Sequence, residues 1–432
     1  MQILPAKNGS PTLLHGKTWL HSRYNPEAEA EKYIASRELA QDITHFILIE
    51  CALGYIIPVL RARFPGSVIV SLHVDRERCN CTESFKADVE RYPETPSAIR
   101  NMLERVIPED ARIKIIEWRP SLSVYPKEYR SLLETAADFL TFHTLNKRTA
   151  AYFEQRWKKN VEYNTAVFNR FVCLKPDPEA RFPVVVAAAG PGLMRSLPEI
   201  KKKRDCVYLV AVSSALAALY EHGIRPDMVA ATDGGFWALP HLFTLGRYGA
   251  GTYPVIAVSL NARLPSSLRD APLLPISDGS AFQNARMKTL RVPFLVLPQR
   301  GTVSAAALDV AFVLTRGPVY VAGLDLRDHD VISHASPHAF ETLFRLQSNR
   351  LAPYYHEAYA RSRLNAESNT QAVYVSWFQN NLARYAARLI ALGDNHPLFA
   401  GMRSETIAET GMKGSPAFET FTPSPDTIVT TG

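Results

Sequence analysis

No stretch of this sequence stays apolar for the roughly 20 residues a helix needs to cross a bilayer. The longest apolar run, Phe46 to Leu60, is interrupted by Glu50. The N-terminus carries one lysine, then proline and glycine, with no apolar core ahead of a cleavage site, so a secretory leader is not expected. Cysteine is scarce, with five in 432 residues. Cys79 and Cys81 are too close for an ordinary disulfide, and no C-x-x-C pair is present to suggest a zinc site. These absences together predict a soluble protein of a reducing cytoplasm. With 21 glycines and 30 prolines, low-complexity and collagen-like classes are excluded.

What is present suits folded domains. The 47% share of hydrophobic residues can build cores, and the length predicts about three units at a typical 150 residues each. A net charge of +7 favours anionic ligands. The one tight basic cluster, Lys201 to Arg204, follows a predicted helix, where cations face the negative end of the dipole. No basic stripe interleaved with aromatics appears, so no nucleic-acid partner is expected.

Along the chain, Asn25-Pro26-Glu27 reads as a helix start, with Asn25 capping. Strands are predicted within 45–54, at 67–73 and at 113–117, alternating with helices as in a parallel sheet. The turn after the first strand has the single glycine Gly54 rather than G-x-G-x-x-G, which argues against a dinucleotide site there. From about Thr144 to Phe171 the pattern is helical. The alternation then restarts, with strands at 183–188, 207–212, 228–232, 255–258, 294–297 and 319–323, and helices at 193–203, 215–222 and 303–314. Residues 337–392 read as helical, and the tail beyond Lys413 as mobile.

Five segments carry possible chemistry. In V-V-V-A-A-A-G-P-G-L a buried strand runs into Gly190, Pro191 and Gly192 and then a helix, an arrangement that offers N–H groups to an anion and equally serves as a plain turn. Ser213 and Ser214 end the next strand, either at a ligand mouth or as helix caps. Asp233 emerges from a strand beside Gly234 and Gly235, placed to bind ribose or a metal, or to stabilise its own turn. Thr302 and Ser304 stand at a helix start, as ligand hydroxyls or caps. Asp325 ends the last strand, followed by His334 with His329 and His338 nearby, an acid and a base in one loop. The D-x-D of Asp328 and Asp330 reads as solvated surface, and no metal site is predicted.

In order along the chain, H-S-R-Y-N-P-E-A-E-A, A-G-P-G-L, G-I-R-P-D-M-V-A-A-T-D, T-V-S-A-A-A-L-D and G-L-D-L…S-H-A resemble the motility-associated factor family of flagellin glycosyltransferases. Where that family commonly has Ser after G-P, this chain has Gly192. The resemblance implies an α/β fold with three parts. These are a Rossmann-like N-terminal domain over 1–143, a central sialyltransferase-like domain with an open, mostly parallel sheet over 144–336, and a C-terminal helical region over 337–432. It also implies inverting transfer of a nonulosonic acid, of pseudaminic or legionaminic type, from a CMP-activated donor to Ser or Thr of flagellin, in support of flagellar assembly and motility. In that scheme His334 is the general base and Asp325 holds the sugar or His334. Gly190–Gly192, Ser213, Ser214, Thr302 and Ser304 hold CMP, and Asp233 with Gly234 faces the ribose or cytosine. No cofactor is expected. The central domain also resembles the archaeal 6-hydroxymethylpterin diphosphokinases (MptE-like), which would bring ATP and Mg²⁺, and a non-catalytic flagellin-binding factor is the third alternative.

Overall fold

The computed structural model describes all residues except 1, 75–84, 93–94, 109–110, 176, 249–250, 298–301, 327–333, 355, 357–358, 361–368, 394–402, 408–412 and 422–432. The chain divides into two compact units, Met1–Tyr152 and Phe153–Gly432. Among the described residues no helix is long and apolar enough to cross a membrane.

The first unit opens with an antiparallel meander, β1 (Gln2–Pro5), β2 (Pro11–His15) and β3 (Thr18–Trp19). Helix α1 (Pro26–Ala35) follows, and Asn25 caps it as its sequence predicts, accepting the Ala28 N–H at 2.9 Å. A parallel sheet in the order β6-β5-β4-β7 comes next, from β4 (His45–Ile49), β5 (Val68–Leu72), β6 (Val89–Arg91) and β7 (Ile113–Glu117). Its helices are α2 (Ile56–Arg63), α3 (Pro96–Val106), α4 (Arg119–Val124) and the start of α5 (Pro126–Val167). Successive side chains of a strand point to opposite faces. Phe46 and Leu48 therefore enter one core with Leu13, Ile34 and Trp118, while Ile47 and Ile49 enter another with Leu103, Tyr129 and Phe139. Both faces are covered, which is why this strand reads as an unbroken apolar run.

The second unit is built on one sheet. Its strands are β8 (Phe171–Leu174), β9 (Val184–Ala187), β10 (Tyr208–Val212), β11 (Met228–Ala231), β12 (Val255–Ser259), β13 (Leu273–Ser277), β14 (Leu295–Val296), β15 (Val319–Ala322), β16 (Leu389–Ala391) and β17 (Phe418–Phe421). Their order is β16-β15-β9-β10-β11-β12-β13-β8-β17, with β14 beside β13. Every pairing is parallel except that of β17 with β8. The helices are α6 (Leu193–Lys202), α7 (Leu216–Glu221), α8 (Leu239–Tyr248), α9 (Ala281–Thr289), α10 (Val303–Leu314), α11 (Glu341–Gln347) and α12 (Asn369–Tyr385). The fold is α/β. From β9 the chain advances strand by strand toward β13, then returns to place β15 on the opposite flank of β9. That reversal puts the switch point of the sheet at the carboxyl ends of β9 and β15, the place where open α/β sheets bind ligands.

Two features depart from the sequence expectation. β13 contains Pro275, a residue that argues against an interior strand; its neighbour β8 registers only with Leu273, so no ladder partner on that side needs the missing N–H. The tail expected to be mobile instead forms β17, with Phe418 opposite Leu174 and Phe421 opposite Phe171, covering the β8 edge. The region from 337 onward thus supplies two strands to this sheet as well as helices. A chain ending at Ala417 should lose one to two kcal/mol and melt a few degrees lower, as loss of a short edge strand implies for a domain of this size. An unchanged melting temperature would show that β17 adds no stability.

Candidate functional site

The glycine loop after β9 and the acid after β15 meet at the switch point of the sheet. Gly190 N–H donates to the Gly323 carbonyl at 2.8 Å, and Gly192 N–H donates to Asp325 Oδ2 at 2.9 Å. Asp325 is 2% exposed. A Cβ on Gly190 would lie 2.1 Å from Asp325 Oδ2, so only glycine fits against that carboxylate. Gly323 turns in the left-handed region at φ +70°, and a Cβ there would meet Leu193 Cβ at 2.7 Å. The Gly190–Gly192 loop at the start of α6 is therefore already occupied by the chain's own Asp325 carboxyl group. The helix dipole favours a carboxylate in that position. This alters the sequence expectation that these N–H groups face a phosphate, because Gly192 N–H is engaged.

The loop beyond β15 carries His334. Ala335 N–H donates to the Ala189 carbonyl at 2.8 Å, which ties the half-buried His334 to the end of β9. The His334 and His338 rings lie 5.9 Å apart at 40°. His241, on α8, joins them. Burial first, then His334 and His338, push its imidazole down to about 4, while Asp233 pulls the other way. His338 is also lowered, by burial and by His334, against Glu341. Tyr374 on α12 is raised by burial and by Asp233. Three histidines, a tyrosine and Asp233, from four separate segments, thus share one electrostatic neighbourhood near the carboxyl ends of β9 and β15. Sequence reading named Asp233, His334 and His338 but not His241 or Tyr374. His241 sits in the apolar helix L-P-H-L-F-T-L, where a lone histidine reads as core. His329, Asp328 and Asp330 lie outside the described residues.

Asp233 is exposed and accepts the Gly235 N–H at 2.7 Å, stabilising its own turn. Gly234 is buried for a packing reason, since a Cβ would come within 2.7 Å of the Trp157 ring and 2.6 Å of the Asn261 carbonyl. Asn160 secures the same point, donating to the carbonyls of Gly234 (3.1 Å) and Asn261 (2.8 Å). Behind it, Gln283 and Asn261 both donate to Asp278 Oδ2, at 2.9 and 3.2 Å. None of this buttress was anticipated, because its partners lie far apart in sequence.

The remaining predicted hydroxyls share the edge. Ser213 is buried and Ser214 half-buried at the end of β10, and neither side chain caps α7. Helix α10 runs back along the sheet, since its far end leads to Thr315, whose hydroxyl donates to the Phe182 carbonyl just before β9 at 2.7 Å. Its first residues therefore stand at the carboxyl edge. Thr302 caps it, accepting the Ala305 N–H at 3.0 Å, and Ser304 is half-buried in its first turn.

Against known proteins, residues 155–331 match the family described as 6-hydroxymethylpterin diphosphokinase MptE-like. An uncharacterized protein of Treponema pallidum (strain Nichols) is 26% identical over 335 residues, covering 76% of this chain and 71% of its own length. Among solved structures, a MAf glycosyltransferase from Magnetospirillum magneticum AMB-1 superposes with a TM-score of 0.47 at 14% identity, over 76% of this chain. This chain spans 60% of that protein's length.

Two outcomes follow from the site geometry. Gly190→Ala should destabilise the protein by about 1–3 kcal/mol in urea unfolding, because the added methyl meets Asp325; an unchanged midpoint would mean the junction yields freely. His241 binds its proton more weakly folded than unfolded, so its contribution to stability is complete above about pH 6.5 and is lost as pH falls toward 4. In melts followed against pH, His241→Gln should remove up to about 3 kcal/mol of that acid sensitivity. Parallel curves for the two proteins would contradict the assignment.

Proposed function

We propose that the second unit is a glycosyltransferase that moves a nonulosonic acid, of pseudaminic or legionaminic type, from a CMP-activated donor to a Ser or Thr hydroxyl of flagellin. The observation that carries this reading is the grouping of Asp233, His241, His334 and His338 beside the chain reversal between β9 and β15. An imidazole, a carboxylate and small-residue loops at that edge suit transfer from an acidic activated sugar. The ordered motifs along the chain support it further.

In this mechanism the acceptor hydroxyl gives its proton to His334 as its oxygen bonds to the anomeric carbon. The bond from that carbon to the phosphate oxygen breaks, and its electron pair leaves with CMP, inverting the centre. Asp325 acts through structure: it holds the glycine loop and the start of α6 rather than touching the sugar. Thr302, Ser304, Ser213 and Ser214 are the hydroxyls left to face the CMP phosphate and ribose, and exposed Asp233 faces the ribose or cytosine. The protein acceptor is the partner this reading requires.

A second reading follows from the description of the matching family as a 6-hydroxymethylpterin diphosphokinase, a diphosphoryl transfer for which ATP and Mg²⁺ are the proposed donor and metal. It would draw on Asp233 and Asp325 for the metal. Asp325 is buried against the Gly192 N–H, which leaves Asp233 as the exposed carboxylate of the two, so sugar transfer is preferred.

Thermal shifts separate the readings, since a ligand that binds the native state raises the melting temperature by mass action. CMP should stabilise the protein without added metal, and ATP with Mg²⁺ should not; the reverse result selects the kinase. Co-expression with flagellin and a nonulosonate pathway should add the sugar mass to intact flagellin, and His334→Ala should slow transfer about 10²–10⁴-fold with CMP stabilisation kept. Full transfer by that variant would remove His334 from the role of base.

A further inference from the structure

The described segment from His334 to Glu341 is anchored at Ala335 and at Glu341, in a way that the assignment of a base does not by itself require. At one end Ala335 N–H donates to the Ala189 carbonyl at 2.8 Å. At the other, the buried Glu341 carboxylate accepts the Ser336 hydroxyl at 2.8 Å and the His338 N–H at 3.3 Å, and Arg345 pairs with it. Between these points His338 has a defined hydrogen-bonding state. Phe340 N–H donates to His338 Nδ1 at 3.3 Å, so the neutral ring carries its proton on Nε2. The ring lies 5.9 Å from His334 and 5.8 Å from Phe344, and Phe340 in turn stands edge-on to His241 at 5.1 Å.

On the reading that His334 is the base, we propose that His338 is its positioning residue and that Glu341 sets the pair by pinning the loop both histidines ride on. Among the described residues, the charged and titratable groups around the pair include Glu341 and Arg345 on α11, His241 on α8, Asp233 after β11 and Tyr374 on α12. Burial and His334 hold His338 below the ordinary imidazole range, with Glu341 opposing. His338 is therefore neutral at pH 7 and presents a fixed N–H without adding positive charge beside the imidazolium that forms on His334 during transfer. A protonated neighbour there would oppose that charge.

The test uses the full chain with ring-labelled histidine and reads NMR before turnover. His338 should appear as the Nε2–H tautomer at pH 7, and His334→Gln should move the His338 titration to higher pH by removing a like-charge neighbour. His338→Phe keeps the ring packing against Phe344. It should retain the wild-type melting temperature and donor KM while kcat falls about 10²-fold, the scale of a misplaced catalytic group. If the Phe variant does not fold, His338→Gln, which keeps a donor near the Nε2 position, should retain more kcat than His338→Ala. An Nδ1–H tautomer, a His338 titration unmoved in His334→Gln, or wild-type kcat in a folded His338→Phe would each overturn the proposal. The NMR readouts need no turnover. A wild-type protein that transfers nothing from a CMP-linked donor would therefore remove the functional reading, while the tautomer and the coupling still decide this one.

Discussion

A single carboxylate organises the second unit. Asp325, at the end of β15, receives the Gly192 N–H where α6 begins, and its presence excludes any side chain from Gly190. It is buried, so it is held by hydrogen bonds and by the dipole of α6 rather than by water. The contact locks together the two strands between which the chain reverses direction. The loops leaving β9 and β15 are held to each other at that reversal by this contact.

The rest of the edge is assembled around that junction in layers. Ala189, adjoining the glycine loop, receives Ala335 and so sets where His334 stands. Glu341 holds the outer part of the same loop through Ser336 and His338. On the β11 side, Trp157 and Asn160 of α5 press on Gly234 and fix the turn from which Asp233 projects. The outcome is a cluster of imidazoles in which burial first, and neighbouring imidazoles second, disfavour protonation of His241 and His338. His241 is the extreme case and stays neutral at physiological pH. Uncharged imidazoles can accept a proton, which is what a transfer reaction asks of a base.

The motifs identified in sequence fall at the edge, but several act there for reasons the motifs do not express. Gly234 reads as a flexible partner to an active-site acid, yet its hydrogen atom is required by the indole of Trp157, 77 positions earlier in the chain. Thr302 serves as the cap that its position before an alanine-rich helix suggests. Ser213 and Ser214, for which capping was the competing interpretation, form no cap.

Local chemistry determined much on its own. The alternation of apolar strands with capped helices, the parallel sheet, Asn25 and Thr302 as caps, and the strand-turn-helix at Gly190–Gly192 are all set by residues within a few positions of each other, and periodicity and capping express such short-range preferences directly. Tertiary structure alone decided the partner of Gly192, which lies 133 residues away, the entry of His241 and Tyr374 into the neighbourhood of Asp233, and the capture of Phe418–Phe421 by β8. Each of these joins segments that have no local preference for one another. Their energy comes from satisfying a buried carboxyl at a helix start, removing an imidazole from water or pairing an open strand edge, and those terms exist only once the sheet has formed.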